Sequence, residues 1–314
     1  MFTDYEQNVL REIAIHQVQP HAVQRVLDTV GKPFSRMLQA GRRSHNRAVS
    51  RVTNKVQGWV EDGLITTFKA ANRLTHPRDV LKRYSERGID LDDVESLRYL
   101  PLSVLDEVCD SFRLRSSLVI GLEGALLGGA TTLAEGIPGA QLVIPSIILA
   151  DITTSLTLLA RHTCHVATTY GYSSQDVGNT PHLIAAMAPQ SQTGDEGYLA
   201  LKTAVVTSII ESGRFLAHSS GVVIDRRLLE SEAPQMIRLI AYVANRLGVV
   251  ITEKQLGLIV PIAGAVLNGS LNIAFQRLGH QTAKDYFRRL ILEQRYGEDI
   301  VAFALRQEIA QLKK

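Results

Sequence analysis

The apolar positions of this chain recur with the period of helices, and alternating strand patterns are few. Over residues 3–30, Val9, Ile13, Val23, Val26 and Leu27 mark two short helices divided by Pro20, and Pro33 interrupts again. From about 42 to 70 the register is clean: Val49, Val52, Val56, Trp59, Val60 and Leu64 fall on one side. Pro77 and Gly88 then punctuate a polar stretch. Ser103-Val104-Leu105-Asp106, just after Pro101, has the form of a helix N-terminal cap. A long helix is predicted from about Ser146 to Tyr170, closed by Gly171 in a left-handed cap. Residues 172–195 read as a loop with one short helix. Helical patterns resume at 196–219 and 233–247, and the capping box Thr252-Glu253-Lys254-Gln255 predicts the start of another helix. Residues 280–312 read as two amphipathic helices separated by Gly297.

These elements predict an all-α fold, a compact multi-helix domain with a Gly-rich central helical hairpin. The expected division is an N-terminal helical segment over 1–74, carrying a basic amphipathic helix, and a helical domain over 75–314 packed against it. The hairpin falls in residues 116–170, with 255–280 beside it. Residues 116–160 hold only three charges, Glu123, Glu135 and Asp151, and their first part is rich in glycine and broken by Pro138 and Pro145.

Two segments raise the question of a bilayer. Residues 136–150 and 255–276 are uncharged, but the first is interrupted by prolines and the second contains Gln255, Asn268, Ser270, Asn272 and Gln276. A spanning helix needs roughly 20 predominantly apolar residues. The segments therefore read either as buried core hairpins or as hairpins that dip into a membrane. Gly124 and Gly128, four apart, allow close helix approach in both cases.

Composition refines this picture. The chain has 314 residues, 45% of them hydrophobic and 21% charged, enough for a substantial core. Cys109 and Cys164 cannot build a disulfide framework, and the N-terminus has neither a basic nor an apolar stretch of a secretory signal. The expectation is a cytoplasmic chain. Its net charge of +3 conceals an uneven distribution: residues 32–87 hold thirteen basic and four acidic side chains, leaving 21 basic and 27 acidic elsewhere. Within that basic segment Arg43, Arg47, Arg51 and Lys55 repeat every four residues, opposite the valines and Trp59. Such a stripe reads either as a solvated outer face or as a contact with an anionic membrane surface. Aromatic interleaving and recognised nucleic-acid modules are lacking, so no nucleic-acid partner is expected.

No familiar catalytic signature is present. The helical zinc-peptidase motif, the nucleophile elbow, the phosphate loop and the dinucleotide fingerprint are all missing. His162 and His165 share a helix face, but Cys164 points away from both, so no metal site and no cofactor are expected. Glu123 and Glu135 are further candidate buried acids whose separation the sequence does not supply. Asp151, Ser155, Leu158, His162, His165 and Thr169 form a mostly polar stripe along the long central helix. That stripe requires partners, either on neighbouring helices or in a polar groove that carries protons. Asp151, inside an apolar run, stands out as costly to bury unpaired.

The run Gly124-Ala125, Gly128-Gly129, Gly136-Ile137-Pro138-Gly139, Ala150-Asp151-Ile152 and Tyr170-Gly171-Tyr172 resembles the signature of the EcsC family. Val260-Pro261-Ile262-Ala263-Gly264-Ala265, with Asn268, Asn272, Ala283 and Phe287-Arg288, resembles its C-terminal half. The similarity extends over roughly 80–296. The resemblance implies a bacterial protein linked by gene neighbourhood to membrane transport or secretion, with no established activity or cofactor. The first expectation is a non-enzymatic protein peripheral to the inner face of the membrane, partnered by anionic lipid or membrane-transport machinery. The alternatives are a pocket for a lipidic ligand between the Gly-rich helix and 256–272, and a hydrolase using Asp151, Glu135 or His162. The sequence leaves the oligomeric state open.

Overall fold

The computed structural model describes residues 1–18, 58–65, 75–111, 144–188, 201–210, 231, 233–259 and 264–313. Of 144–154, 245, 248–259 and 264–274 it describes the backbone path alone. The described elements are helices, and no strand occurs among the described residues, so the fold is all-α. In chain order they are α1 (Asp4–Val18), α2 (58–65), α3 (Pro77–Ser85), α4 (102–111), α5 (Ile144–Thr169), α6 (Thr180–Ala186), α7 (201–210), α8 (Pro234–Ile259), α9 (Gly264–Tyr296) and α10 (Glu298–Leu312). Short 3-10 turns lie at Glu95–Tyr99 and Val177–Asn179. Residues 116–143, with most of the expected Gly-rich hairpin, lie outside the described residues, as does most of 19–74.

The 33-residue α9 is the axis of the molecule. It packs against α5, α8, α10, α6 and α1. Leu159 meets Gly279, His162 meets His280 and Tyr170 stacks near Phe287, so α5 and α9 ascend in the same direction. Close parallel helices need a long return path, and α6 and α8, both packed against α9, lie on it. Gly279 makes the approach possible: a Cβ there would stand 2.1 Å from Leu159 Cδ1. After Gly297 the chain reverses into α10, whose first turn carries Glu298 and Asp299, the favourable sign at a helix N-terminus. α1 covers α9 and α10 with Val9, Leu10, Ile13 and Ala14. Fully buried Leu105, Leu156, Leu239, Phe287 and Ile291 join these faces in one core. Each such side chain contributes about 1.5–3 kcal/mol of burial free energy.

Two helix boundaries differ from the sequence reading. The capping box at 252–255 does not start a helix, because α8 runs unbroken from Pro234 to Ile259. Gly248 and Gly257 lie within that run, and each interior glycine costs only about 1 kcal/mol against alanine, less than a new helix nucleus. In the same way 264–296 is one helix rather than the end of an apolar segment followed by a new amphipathic one. At 102–111 the helix follows Pro101 directly, with the amides of Val104 and Leu105 donating to the Pro101 carbonyl. Ser103 is therefore inside the helix and is not its cap.

The end of α5 agrees with the expected cap. The Tyr172 amide donates to the Ala167 carbonyl and the Gly171 amide to that of Thr168, with Gly171 at φ +86°. Tyr84 of α3 donates to the Thr169 carbonyl and Arg98 to that of Gly171, so neighbouring side chains satisfy the helix end as well. A Cβ on Gly171 would stand 2.5 Å from Arg98 Cγ and 3.0 Å from its backbone nitrogen. Gly171→Ala is expected to cost at least about 1–2 kcal/mol, the penalty of a left-handed non-glycine residue. A urea midpoint unchanged from the parent protein would show that this cap is dispensable.

Candidate functional site

The densest chemistry lies along α9, where His280, Lys284, Asp285, Arg288, Arg289 and Glu293 are all buried. The sequence pattern predicts an amphipathic helix with one polar face over this stretch. The structure covers that face with other helices. His280, Lys284 and Arg288 recur every four residues and meet α4, whose Asp106 and Asp110 are also four apart. Lys284 Nζ donates to both oxygens of Asp110 at 2.9 Å. One turn on, Arg288 donates from Nε to Asp106 at 2.9 and 3.0 Å and from Nη2 at 2.6 Å. Two phenols complete the Asp106 shell. Tyr5 of α1 donates at 2.5 Å, and Tyr170, beyond the end of α5, donates to the other carboxylate oxygen. Four separate elements thus meet on one carboxylate.

The electrostatics follow from this geometry. The Asp106 and Arg288 side chains are 3% and 4% exposed, so the pair is desolvated on both sides. Burial pushes the Arg288 pKa down, but the hydrogen bonds and charge of Asp106 outweigh it and raise it, keeping the guanidinium charged. Burial first, and then the nearby Cys109 and Asp106, raises the Tyr170 phenol well above its ordinary range, so it stays a donor. Asp110 is half-exposed. Burial works against its charge, but hydrogen bonds from His280 and Lys284 hold its pKa below the usual carboxylate range.

The remaining stripes of α9 bind other neighbours. Towards α1, Asp285 pairs with His16 at 2.8 Å, Arg288 with Glu12 at 2.8 Å, and Arg295 with Glu6 at 3.2 Å. Tyr296 donates to Glu6 at 2.7 Å. Towards α7, Glu293 accepts from Arg289 at 3.0 Å and from Lys202 at 2.6 Å. Arg295 also donates to the carbonyls of Arg98 and Leu100, just before α4. These contacts fix the register of α1, α4 and α7 on α9, and the charges are used internally.

The polar stripe of α5 divides between two neighbours. Ser155, His162 and Thr169 are buried. His162 Nε2 lies 2.6 Å from Nδ1 of His280 on α9. His165, one turn on, faces α3, where Arg83 and Asp79 act on it. Burial, then the neighbouring Arg161 and Arg83, lowers the His165 pKa to about 4. Thr169 donates back to the His165 carbonyl. The backbone of Asp151 lies in α5, but its side chain is outside the described residues. Eleven residues separate it from His162, about 16 Å along the axis at 1.5 Å per residue.

Among the residues carrying the family resemblance, Tyr170 and Gly171 are placed as above. Gly264 opens α9, and Asn268 and Asn272 lie on its backbone path. Gly124, Gly128, Pro138, Gly139 and Pro261 lie outside the described residues, as do Glu123, Glu135 and the basic stripe Arg43, Arg47, Arg51 and Lys55. The Gly-rich wall of the expected lipid pocket also falls there, and of 256–259 and 264–272 only the backbone path is described. Among the described residues no three His, Cys, Asp or Glu are grouped to hold a metal ion. Cys109 and Cys164 are buried, and burial pushes both thiols up to about 12, away from a reactive thiolate. No helix among the described residues is long and apolar enough to cross a membrane.

Sequence reasoning missed Asp106, Asp110, His280, Lys284, Arg289 and Glu293 as interacting groups. The signal available was a match of spacings: Asp106 and Asp110 four apart on α4, beside the apolar Leu102, Leu105 and Cys109, and basic residues four apart on α9. Compared with protein-family models, with curated proteins and with solved structures, the chain gives no match.

Proposed function

We propose that this chain is a non-enzymatic helical protein of the EcsC type that lies on an anionic membrane face and supports a transport, secretion or envelope process. The observation that carries the reading is the repeat Arg43, Arg47, Arg51 and Lys55, opposite Val49, Val52, Val56 and Trp59 in helical register. It lies in a segment of net charge +9, with thirteen basic and four acidic residues over 32–87. Basic groups held near an anionic leaflet contribute about 1 kcal/mol each. Within the described body, by contrast, the buried charges of α9 are consumed in pairs with α1, α4 and α7. Those pairs account for the ionisable groups there without a substrate. The family resemblance supports the same reading through its association with membrane transport.

Among the described residues, the surroundings of His162 do not support the hydrolase reading. Its ring is buried and its Nε2 is engaged by His280.

Vesicle co-sedimentation tests the proposal. The protein is expected to sediment with phosphatidylglycerol vesicles at low salt, to release as salt rises, and to ignore phosphatidylcholine vesicles. Reversing Arg43, Arg47 and Arg51 to Glu is expected to weaken binding by at least about 100-fold, since three contacts of about 1 kcal/mol are removed. The reading fails if the parent protein ignores anionic vesicles at low salt, or if the triple variant binds as well as the parent.

A further inference from the structure

Unlike the carboxylate ladders of α9, the contact between His162 and His280 joins two groups that titrate near neutrality when free. The facing nitrogens are 2.6 Å apart, and the ring planes are inclined by 50° with centroids 4.8 Å apart. One proton fits between two nitrogens at that distance, and two do not. The outer nitrogen of His280 faces Asp110 Oδ1 at 3.4 Å. The consistent assignment is that His162 donates to His280 and His280 donates to Asp110. The Asp110 side chain is 48% exposed, so a chain of hydrogen-bonding groups leads from solvent to the buried pair.

Among the described residues, the charges around the pair are mostly basic or already engaged. On α5 the pair has His165 nearby, itself acted on by Arg161, and on α9 it has Lys284. α4 supplies Asp110 and the buried Cys109, and Asp110 is already engaged by Lys284. α3 supplies Asp79 and Arg83, which act on His165. Burial first, and then the neighbouring His280 and His165, holds His162 well below the ordinary imidazole range. The Leu159–Gly279 approach directly precedes the two rings, so separating the rings loosens a close contact between the helices.

We propose that the facing rings of His162 and His280 are a proton-operated latch between α5 and α9. It is closed while a single proton lies between the rings, and it opens locally when each ring carries its own charge. The latch is independent of membrane binding, which rests on other residues.

Hydrogen exchange of the full-length protein between pH 7.5 and 5.5, corrected for intrinsic rates, tests it. Amides 159–166 and 276–283 are expected to lose protection by up to about a hundredfold per pH unit below the onset, the slope of two linked protons, since both rings are neutral in the closed pair. Those of α1 and α10 are expected to change less. His162→Gln retains an amide donor towards His280 but does not titrate, and is expected to abolish the local loss. Asp110→Asn, at a half-exposed position, removes the charge that favours a protonated His280 and is expected to move the onset to lower pH. The latch is overturned by constant protection across this range, by an equal loss in α1 and α10, by an unchanged loss in His162→Gln, or by an onset that Asp110→Asn leaves in place.

Discussion

Replacing Asp106 with alanine is expected to destabilise the protein by about 3–5 kcal/mol, the usual cost of removing one partner from a buried ion pair. The variant leaves the Arg288 guanidinium charged in a site where its side chain is only 4% exposed. It also removes the acceptor used by the Tyr5 and Tyr170 hydroxyls. Glu12 and Asp285 remain near Arg288, but Glu12 is 54% exposed and screened by solvent, and Asp285 stands 3.9 Å away and is shared with His16. Glu12→Ala is accordingly expected to cost under about 1 kcal/mol. Urea unfolding of the two variants measures the difference. The double variant Asp106→Leu/Arg288→Met is expected to recover much of the loss, because an apolar pair carries no unpaired charge. A loss below about 1 kcal/mol for Asp106→Ala would remove this carboxylate from the centre of the fold.

Acidification from pH 7 to 4 is expected to lower stability by roughly 6 kcal/mol, through His165 and His182. Burial is the first cause at both sites. It is aided by Arg161 and Arg83 at His165 and by Arg98 and Lys202 at His182, and both pKa values fall to about 4. The His182 ring also accepts from the raised Tyr286 hydroxyl at 2.9 Å, which suits its neutral form. In the unfolded chain both imidazoles titrate near 6.5. Between pH 6.5 and 4 the unfolded state therefore binds more protons, and each ring withdraws about 3 kcal/mol as pH falls through that window. Carboxylates with depressed values, such as Asp110 and Glu6, lose their contribution only as pH falls below the ordinary carboxylate range. Typical domains hold about 5–15 kcal/mol in total, so acid unfolding near pH 4 is the expected outcome. Urea midpoints at pH 7, 6, 5 and 4 test it, and His165→Gln/His182→Gln is expected to flatten the curve. Stability that stays level from pH 7 to 5 contradicts the assignment.

The sequence pattern was legible where a local rule decides. Gly171 follows the apolar run of α5 and adopts the left-handed angle that its place requires. Gly297 separates α9 from α10, and Val9 and Ile13 are buried as their spacing predicts. The pattern misled where local rules compete. A capping box at Thr252 met a helix already under way, and continuing it costs less than starting another. Asp106 had the position of a helix-start residue and proved to be a buried hub. Asp151 drew attention as an acid in an apolar run, whereas Asp106 carries the contacts among the described residues.

Periodicity by itself determined that this chain is helical, where several helices end, and that α5 bears a polar stripe. It also placed a concentrated positive charge at 32–87. These properties depend on neighbours three or four residues away, which the sequence lists directly. Only the tertiary structure decided which polar faces meet water. His280, Lys284 and Arg288 have the spacing of an ordinary solvated face, and α4 and α1 bury that face with acids from more than 100 residues away. A helical repeat states that side chains share a side. The partner across that side depends on how helices pack, and no local spacing records it.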